Sequence, residues 1–519
     1  MNNNPGNNRT NTNAQSKGGA NFRPIAICCY GNAVIMTFLT FYFFLIPFCM
    51  MVYYLIDPGL KGRGIPRLAV DLHRSLSPDY EKWARQRVSS GQAMELSVQD
   101  IAETEWPVFG SAFYLWATQS LQVAWEENNN ISALAPNVYA ADAIEAATEL
   151  ITDPGHASWV KQHWGQDYLF HQNVFYRMLL ISAMTNYHEL LGGDKHFVAL
   201  QEQVRTLSEE LDRSPYGLLD DYPGQCYPSD IVAAIAAIKQ SDRLLEADYT
   251  DFVKRSIRAF SGELVDATGL PPYIADSKTG AIGIARGCTS QWTTVWAPQL
   301  WPEHAKQLYG NFEKHFWQRR WIGVGFREFP KDIFGREWYI DVDSGPVIAG
   351  FGTVASAFGI GSARANGRFD HAYPLSAEAI VFAWPLPNGV LAIPRILSNM
   401  THAPYIGETA VLFALTRTPP EGLQISSSGR LPLVVYLALG LYLGIGIILI
   451  LTTLVVFKRR RRRMAHSLPA EKIQLTVWAG LILAGFVAGI THYLLTGSLL
   501  ILCAQFLPQY GRKMVKSQK

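Results

Sequence analysis

The sequence predicts an all-α protein in which an (α/α)6 toroid is flanked by transmembrane helices. Uncharged apolar stretches lie near both ends of the 519 residues, and amphipathic helical patterns alternate with nearly all-apolar ones between them. No alternation of strand and helix patterns is visible, so a doubly wound sheet is not expected. The hydrophobic fraction of 49% and the charged fraction of 17% agree with a chain that contains membrane segments.

The N-terminal region divides into a polar tail and an apolar anchor. Residues 1–22 are rich in Asn and Gly and have almost no apolar content, which predicts a disordered cytoplasmic tail. Residues 23–56 carry no charge after Arg23, and about 20 apolar residues suffice to cross a bilayer. A cleaved signal peptide would have a shorter apolar region, so we predict a retained transmembrane anchor.

The C-terminal region predicts three more spans separated by a basic loop. Lys458 and five consecutive arginines directly follow an apolar run, which marks the cytoplasmic side. The alternative interpretation of this run is a nucleic-acid-binding patch. Its position directly beside a span favours a role as a marker of the cytoplasmic side. The expected partner is therefore the lipid bilayer and not nucleic acid. The predicted segments are a transmembrane helix at 431–457, a basic cytoplasmic loop at 458–472, a transmembrane hairpin at 473–508 and a basic cytoplasmic tail at 509–519.

This arrangement predicts a multi-pass protein of the cell inner (cytoplasmic) membrane with both ends inside. The toroid domain at residues 60–425 then faces the periplasm or the cell exterior. Its predicted helices are 110–125, 140–150, 173–191, 196–208, 229–240, 247–264, 291–300, 302–316, 345–360, 375–382 and 409–415.

These helices come in pairs that suit an inner and an outer ring. Residues 229–238 begin with two polar residues and continue as small or apolar ones, whereas residues 252–260 mix apolar and basic residues. Helices that are apolar all round belong inside, and amphipathic helices belong outside.

Polar clusters precede several apolar helices, at the positions that would meet at one mouth of a toroid. They are residues 167–173, 220–230, 286–292 and 339–346. Each has a structural alternative, because Ser229, Asp230, Asp343 or Ser344 could simply cap a helix. Together they supply the donors and acceptors that acid/base chemistry needs. The candidate catalytic residues are His171, Cys226, Asp230, Asp343 and Tyr222, and the candidate substrate-binding residues are Asn173, Tyr227, Trp292, Asp341 and Tyr339.

Neither a metal nor a cofactor is expected. The histidines between 163 and 196 do not have zinc-motif spacing, and no Cys-x-x-Cys occurs. The two cysteines of the central domain, Cys226 and Cys288, could pair or both be free.

At these clusters the chain resembles the linalool dehydratase/isomerase family. The matching features are 171–173 (His-Gln-Asn), the tyrosine- and cysteine-bearing loop before Asp230, and 341–346 (Asp-Val-Asp-Ser-Gly-Pro), within about residues 100 to 415. The resemblance implies an (α/α)6 barrel that removes a tertiary hydroxyl from a monoterpene alcohol without a cofactor. It implies a site thiol at Cys226, a site imidazole at His171 and an assisting tyrosine at Tyr222 or Tyr227. The family uses two site cysteines close in sequence, whereas no second cysteine lies near Cys226.

Three functions follow from these observations. The first is a lyase or isomerase that acts on a hydrophobic alcohol, and the second is an envelope glycan enzyme that uses two carboxylates. The third is a non-catalytic envelope scaffold. An apolar pocket with a thiol and an imidazole favours the first, paired carboxylates in an open groove favour the second, and a mouth without converging acids favours the third.

Overall fold

The computed structural model describes residues 31–97, 100–463, 469–490 and 494–506. Helices account for 65% of it and strands are few, which confirms the all-α class. The predicted tails at 1–22 and 509–519 lie outside the described residues, as does part of the basic loop. The chain forms two units, one of residues 1–48 with 440–519 and one of residues 49–439.

The terminal unit contains the apolar helices. Among the described residues, two helices are long and apolar enough to cross a membrane, Gly31–Leu55 (α1) and Leu433–Arg459, with mean hydropathies of 2.1 and 2.6. The second belongs to helix Leu433–Arg463 (α17), and it is followed by Pro469–Ile490 (α18) and Leu494–Phe506 (α19), which pack against each other. Helices α1 and α17 approach each other closely at Gly446, because a Cβ there would lie 2.6 Å from the Leu45 side chain.

The central unit consists of helices joined by loops and short strands. Its helices are Arg67–Ser89 (α2), Ile101–Glu127 (α3), Pro136–Tyr139 (α4), Ala141–Thr152 (α5), Ser158–Trp164 (α6), Val174–Leu191 (α7), Phe197–Arg213 (α8), Pro228–Gln240 (α9), Thr250–Ser256 (α10), Gly287–Leu300 (α11), Pro302–Phe316 (α12), Thr353–Ala365 (α13), Phe369–Ala383 (α14), Ala392–Ser398 (α15) and Ile406–Thr416 (α16). Short 3-10 turns add Pro58–Leu60, Gln92–Glu95, Asn129–Ile131, Ile257–Phe260 and Gly262–Leu264.

Two small antiparallel sheets lie between α12 and α13. Their strands are Trp317–Arg319 (β1), Val324–Phe326 (β2), Tyr339–Asp341 (β3), Gly345–Ile348 (β4) and Phe351–Gly352 (β5). In the first sheet β1 pairs with β2, and in the second β4 pairs with both β3 and β5. The predicted helix 345–360 is therefore wrong in its first half, because glycines with positive φ at Gly345 and Gly350 turn the chain into strands before α13 begins.

Six helices of the central unit contact one another in order. Helix α3 contacts α7, and the contacts continue through α9, α11, α13 and α16, which in turn contacts α3. The helices α2, α5, α8, α10, α12 and α14 alternate with them along the chain. The two sets differ clearly in the α7–α8 pair, because 15 of the 18 residues of α7 are buried but only 6 of the 17 in α8. In this pair the nearly all-apolar sequence forms the more buried helix, whereas α14 is no less buried than α13.

The core is aromatic where the central helices meet. Rings from α3, α11 and α16 pack together, with Phe113 and Phe413 centroids 5.2 Å apart and Trp116 and Trp296 centroids 5.1 Å apart. Such pairs add stability beyond their buried area and leave little freedom at the centre of the unit.

Candidate active site

Three carboxyl groups from distant parts of the chain converge near the N-terminal ends of the central helices. Glu105 lies at the start of α3, Asp230 in the first turn of α9, and Asp343 in the turn between β3 and β4. Each is close enough to affect the ionisation of another, since the charge of Asp343 acts on both Glu105 and Asp230. We call Glu105, Asp230 and Asp343 the acid cluster.

Two members of the acid cluster have strongly raised pKa values. Burial raises the pKa of Glu105 to about 7, and the charge of Asp343 adds to the effect. Burial also raises the pKa of Asp230 to about 7, with contributions from Asp343 and Glu105. Both side chains nevertheless keep some solvent-accessible surface. Carboxyl groups that are surrounded by protein, reachable by a ligand and half protonated near neutrality are suited to acid/base catalysis.

Two buried donors lie beside these carboxyl groups, close enough for each interaction to lower the pKa of the carboxyl group, but without the geometry of a direct hydrogen bond. The Tyr222 hydroxyl lies beside Glu105, and the Trp292 indole N–H lies beside Asp230. Both atoms are shielded from solvent and neither has a hydrogen-bond partner within the described part of the chain. Each pair is therefore near enough to interact but too loose for a direct bond. Buried donors normally have a hydrogen-bond acceptor. A ligand oxygen placed near the Tyr222 hydroxyl and the Trp292 N–H would supply that acceptor.

A tight turn places Tyr222. Pro223 and Gly224 occupy its centre, and Gly224 has φ +79°, as a type II turn requires. The Tyr222 and Gln225 backbones close the turn with hydrogen bonds of 3.2 and 2.8 Å. The Asp220 carboxylate accepts a hydrogen bond from the Gly224 N–H at 2.9 Å and so holds the turn in place.

The third carboxyl group, Asp343, reaches the site from the β3–β4 turn. Its carboxylate accepts a hydrogen bond from the Tyr273 hydroxyl. The Tyr273 ring packs edge-on against Tyr227, with centroids 5.4 Å apart. Burial and the charge of Asp343 raise the pKa of Tyr227 to about 12, so this phenol is a neutral donor at physiological pH.

Arg286 ties the β3–β4 turn to the helices. Its guanidinium pairs with Glu328 and with Asp341, each at 2.7 Å, and stacks on the Tyr273 ring at 4.5 Å. Although burial opposes it, hydrogen bonds from Ser344 and Arg286 hold the pKa of Asp341 below its usual range. This clamp fixes the hairpin that carries Asp343.

An aromatic layer lies next to the acid cluster. Phe109 is one turn after Glu105 on α3, and its ring lies 5.6 Å from Phe175 and 5.5 Å from Trp292. Phe175 in turn lies 6.4 Å from Tyr222. The carboxyl groups thus border an apolar surface whose ring faces could contact a hydrophobic or cationic ligand.

The structure does not bring His171 into the acid cluster. Its ring is 66% exposed and lies 3.3 Å from Glu210 on α8. Glu210 also pairs with the buried Arg177, whose guanidinium further bonds Gln203 at 3.0 Å. His171 therefore belongs to a network that fixes α7 against α8.

Several other predicted residues have structural roles. Asn173 is 1% exposed, adopts φ +54° before α7 and donates its amide N–H to the Tyr168 carbonyl at 2.7 Å. Asp341 serves the Arg286 clamp, and Tyr339 contacts the same guanidinium at 5.8 Å. Of the predicted residues, the acid cluster and its surroundings gather Asp230, Asp343, Tyr222, Tyr227 and Trp292.

The two cysteines of the central unit are unpaired and inert in character. Cys226 is fully buried and its carbonyl accepts a hydrogen bond from Ala275 at 3.0 Å. Burial raises the pKa of both thiols, and nearby carboxylates add to it, Asp221 for Cys226 and Glu328 for Cys288. Thiols that stay protonated are poor nucleophiles.

We therefore expect neither Cys226 nor Cys288 to react with iodoacetamide at neutral pH while the protein is folded. Both should be modified after unfolding in guanidinium. Peptide mass spectrometry of protein treated before and after unfolding measures this directly. Modification of Cys226 in the folded state would show that its thiol is accessible and ionised, contrary to its surroundings.

Glu105, Tyr273, Arg286 and Glu328 were not among the sequence-based candidates. For Glu105 a signal existed, because Asp100 accepts a hydrogen bond from the Glu103 N–H at 3.1 Å as an N-cap. Recognising that cap would have started α3 nine residues earlier than position 110 and placed Glu105 in its first turns.

Two other groupings are weaker candidates for the site. An open cleft of about 780 Å³ lies between α1 and α2, but Asp71 and Arg74 are its only ionisable residues apart from Cys49 and Tyr53. Glu313, Asp370 and His371 lie within metal-binding distance of one another. There, however, Arg368 occupies both carboxylates as an ion-pair partner. The acid cluster has shifted pKa values together with unsatisfied donors, and it is the better candidate.

No protein-family model matches the chain, and no curated protein sequence matches it significantly.

The raised pKa values predict a pH-dependent stability. A carboxyl group whose pKa is higher in the folded state stabilises the fold fully below its unfolded pKa of about 4, and this contribution is lost as pH rises towards 7. The variant Glu105→Gln cannot ionise. We expect its melting temperature to exceed that of the parent by roughly 2–4 °C at pH 8 and to equal it near pH 4.

Glu303→Gln is the matched control, because Glu303 is exposed on α12. Its melting temperature should follow the parent at both pH values. A Glu105→Gln effect of the same size at pH 4 and pH 8 would contradict a pKa raised by burial.

Proposed function

We propose that this protein is a membrane-anchored enzyme of the cell inner membrane that cleaves a C–O bond by acid/base catalysis in an (α/α)6 toroid facing the outside. The single observation that carries the proposal is the acid cluster, in which Glu105 and Asp230 have pKa values of about 7 beside unsatisfied Tyr222 and Trp292 donors. The sequential contacts that return from α16 to α3 support the toroid. The apolar helices and the basic run 458–463 support the topology.

The chemistry follows from the protonation states. In the proposed reaction, the carboxylic acid of Asp230 donates its proton to a substrate oxygen that the Trp292 and Tyr222 donors hold. The C–O bond breaks, its electron pair stays with the departing oxygen, and water leaves. The Glu105 carboxylate then accepts a proton from the adjacent carbon, whose C–H electrons form the double bond. Proton and electron balance is complete within these two residues and the substrate.

The aromatic layer favours a hydrophobic alcohol as the substrate. Loss of water from a tertiary alcohol develops positive charge on carbon, and the faces of aromatic rings such as Phe109 and Trp292 attract positive charge. Membrane anchorage suits a substrate that partitions into lipid. The proposal keeps the dehydratase/isomerase chemistry of the family that the sequence resembles but assigns it to carboxyl groups. His171 pairs with Glu210 instead of the acid cluster, and the Cys226 thiol, although near Asp230, is fully buried with a raised pKa.

A glycan-active enzyme is the second candidate. It is favoured by the presence of three carboxyl groups, because glycoside hydrolysis uses an acid and a base or nucleophile across the scissile bond. The exposed position of Asp343 at the rim, beside Tyr273, would suit that role. A non-catalytic scaffold would not need raised pKa values or unsatisfied donors.

The test is a product assay with the full chain in nanodiscs. Tertiary and allylic terpene alcohols are incubated with the protein, and alkenes are measured by gas chromatography; parallel samples contain envelope oligosaccharides, and new reducing ends are measured. We expect alkene formation by the parent protein and not by Asp230→Asn. Formation of reducing ends alone would favour the glycan enzyme, and no product in either assay would count against both.

A further inference from the structure

The turn between β1 and β2 presents an exposed tryptophan among basic residues. Trp321 is 79% exposed and Ile322 is 37% exposed. Arg319 and Arg320 immediately precede them and are exposed as well. Large apolar side chains that are held this far into solvent mark interaction surfaces when they cluster.

This turn is hydrogen-bonded to the beginning of the second candidate span. The backbone N–H of Val434 donates to the Ile322 carbonyl at 2.8 Å. Helix α17 begins at Leu433, and the apolar stretch that could cross a membrane begins at the same residue. Arg430, three residues earlier, is exposed. The end of the span therefore fixes where the turn lies.

We propose that the β1–β2 turn docks in the headgroup layer of the membrane that α17 crosses, with Trp321 inserted at the interface. This inference rests on the membrane topology of the proposed function. Tryptophan is enriched at membrane–water interfaces, where its ring is apolar and its N–H finds a polar partner. Basic side chains beside it attract anionic lipid phosphates. Arg319, Arg320 and Arg430 supply that charge at the point where the chain enters the bilayer.

The docking would add a third attachment point to the two candidate spans. The docked turn belongs to the β1–β2 hairpin, which follows α12. The Arg320 side chain in this turn also donates a hydrogen bond to the Ala349 carbonyl at 3.3 Å, next to β5. The membrane surface would thereby hold the sheet region from which Asp343 enters the site. Anionic phospholipid headgroups are the chemical partner that this surface fits.

Trp338 provides a matched control. It is 74% exposed, and it lies in the loop before β3, at the other small sheet. The described residues give no hydrogen bond between its loop and the start of α17. Trp338 is therefore exposed to a similar extent as Trp321, but its loop lacks the hydrogen bond that connects the Trp321 turn to the span.

Fluorescence quenching by brominated lipids tests the inference. The full chain and its Trp321→Phe and Trp338→Phe variants are placed in nanodiscs that contain anionic phosphatidylglycerol brominated near the headgroup. The difference between parent and Trp321→Phe emission isolates Trp321, and we expect the brominated lipid to remove most of it. The Trp338 emission, isolated in the same way, should persist. Equal quenching of the two tryptophans, or quenching of neither, would overturn the inference.

A third variant separates this inference from the membrane topology itself. Leu443→Trp, made in the Trp321→Phe background, adds an emitter on the lipid-facing part of α17, where Leu443 is 37% exposed. Quenching of this emitter by lipids brominated deep in the acyl chain, combined with no quenching of Trp321 by the headgroup-brominated lipid in the first comparison, would preserve the span and reject the docking turn. If the new emitter is not quenched, the span is wrong and the proposed topology fails with it.

The role of charge has its own readout. Replacing the anionic lipid by phosphatidylcholine, or making the double variant Arg319→Gln/Arg320→Gln, should weaken the quenching of Trp321. Quenching that is unchanged by both would overturn the assignment to anionic headgroups.

Discussion

Replacing Asp230 by asparagine is expected to abolish turnover, with a loss of about 10²- to 10⁴-fold, the usual contribution of a general acid. Asparagine keeps the shape of the side chain but cannot donate the proton that the pKa of about 7 makes available. The fold should persist, because the amide removes a carboxyl group whose ionisation in this buried position is unfavourable. The measurement is the initial rate with the substrate class that the product assay identifies, together with the melting temperature.

Asp142→Asn is the control for this variant. Asp142 lies in the first turn of α5, and its side chain is 85% exposed. It should change neither rate nor stability. A rate for Asp230→Asn within about twofold of the control, where a general acid would contribute at least about 100-fold, would remove Asp230 from the mechanism.

Replacing Arg364 by methionine is expected to give the largest loss of stability. Arg364 is fully buried near the end of α13 and donates to three carbonyls, those of Arg417 at 2.9 Å, Gly59 at 3.1 Å and Gly64 at 2.8 Å. Burial lowers its pKa to about 10, so it remains charged at neutral pH. Removing it takes a buried cation and its hydrogen bonds away from three partly buried carbonyls, at a cost of about 3–5 kcal/mol.

Thermal unfolding in nanodiscs measures this effect. A cost of that size lowers the melting temperature by roughly 4–6 °C in a unit that spans residues 49–439. Arg243→Met, at a side chain that is 87% exposed, is the control and should have no effect. If Arg364→Met fails to fold, Arg364→Lys keeps the charge with fewer donors and should show an intermediate loss. A change below about 2 °C, less than the loss of one buried hydrogen bond, would contradict the bonding role of Arg364.

The sequence was most informative where structure is local. The predicted helix 173–191 differs by one residue from α7, because its apolar run is continuous and a glycine with φ +74° ends it at Gly192. The predicted helix 302–316 coincides with α12, where Pro302 occupies the first turn as helix starts favour. In both cases periodicity and end signals lie within a few residues of the helix they define.

The sequence was less informative where pairing is non-local. The hairpin of β3 and β4 was read as a polar cluster and a helix, because neither strand has an alternating pattern longer than four residues. Helix α2 was not predicted, although Leu68, Leu72 and Leu76 recur at a helical spacing and are buried. No helix was predicted between residues 60 and 110, so both α2 and Glu105 were missed.

Two of the predicted site residues that lie together, Asp230 and Trp292, are near helix starts, whereas the direction of the His171 side chain depends on tertiary structure. Asp230 and Trp292 lie on central helices, so their position followed from helix order. His171 precedes such a helix as well, but the left-handed conformations of Gln172 and Asn173, with φ +46° and +54°, accompany a side chain that faces Glu210 instead. A backbone reversal of this kind has no signature in hydrophobic periodicity.

The proposed chemistry depends on Glu105 and Asp230 being largely buried carboxyl groups that each have a pKa of about 7. Infrared difference spectroscopy across a pH titration of the parent and the Asp230→Asn variant measures this without a substrate. We expect a protonated-carboxyl band that persists at pH 6, loses intensity around pH 7 and is weakened in the variant, while the fully buried Asp221, whose pKa is also raised, retains part of it. A parent spectrum in which all carboxyl groups are ionised by pH 6, or a band unaffected by Asp230→Asn, would contradict it.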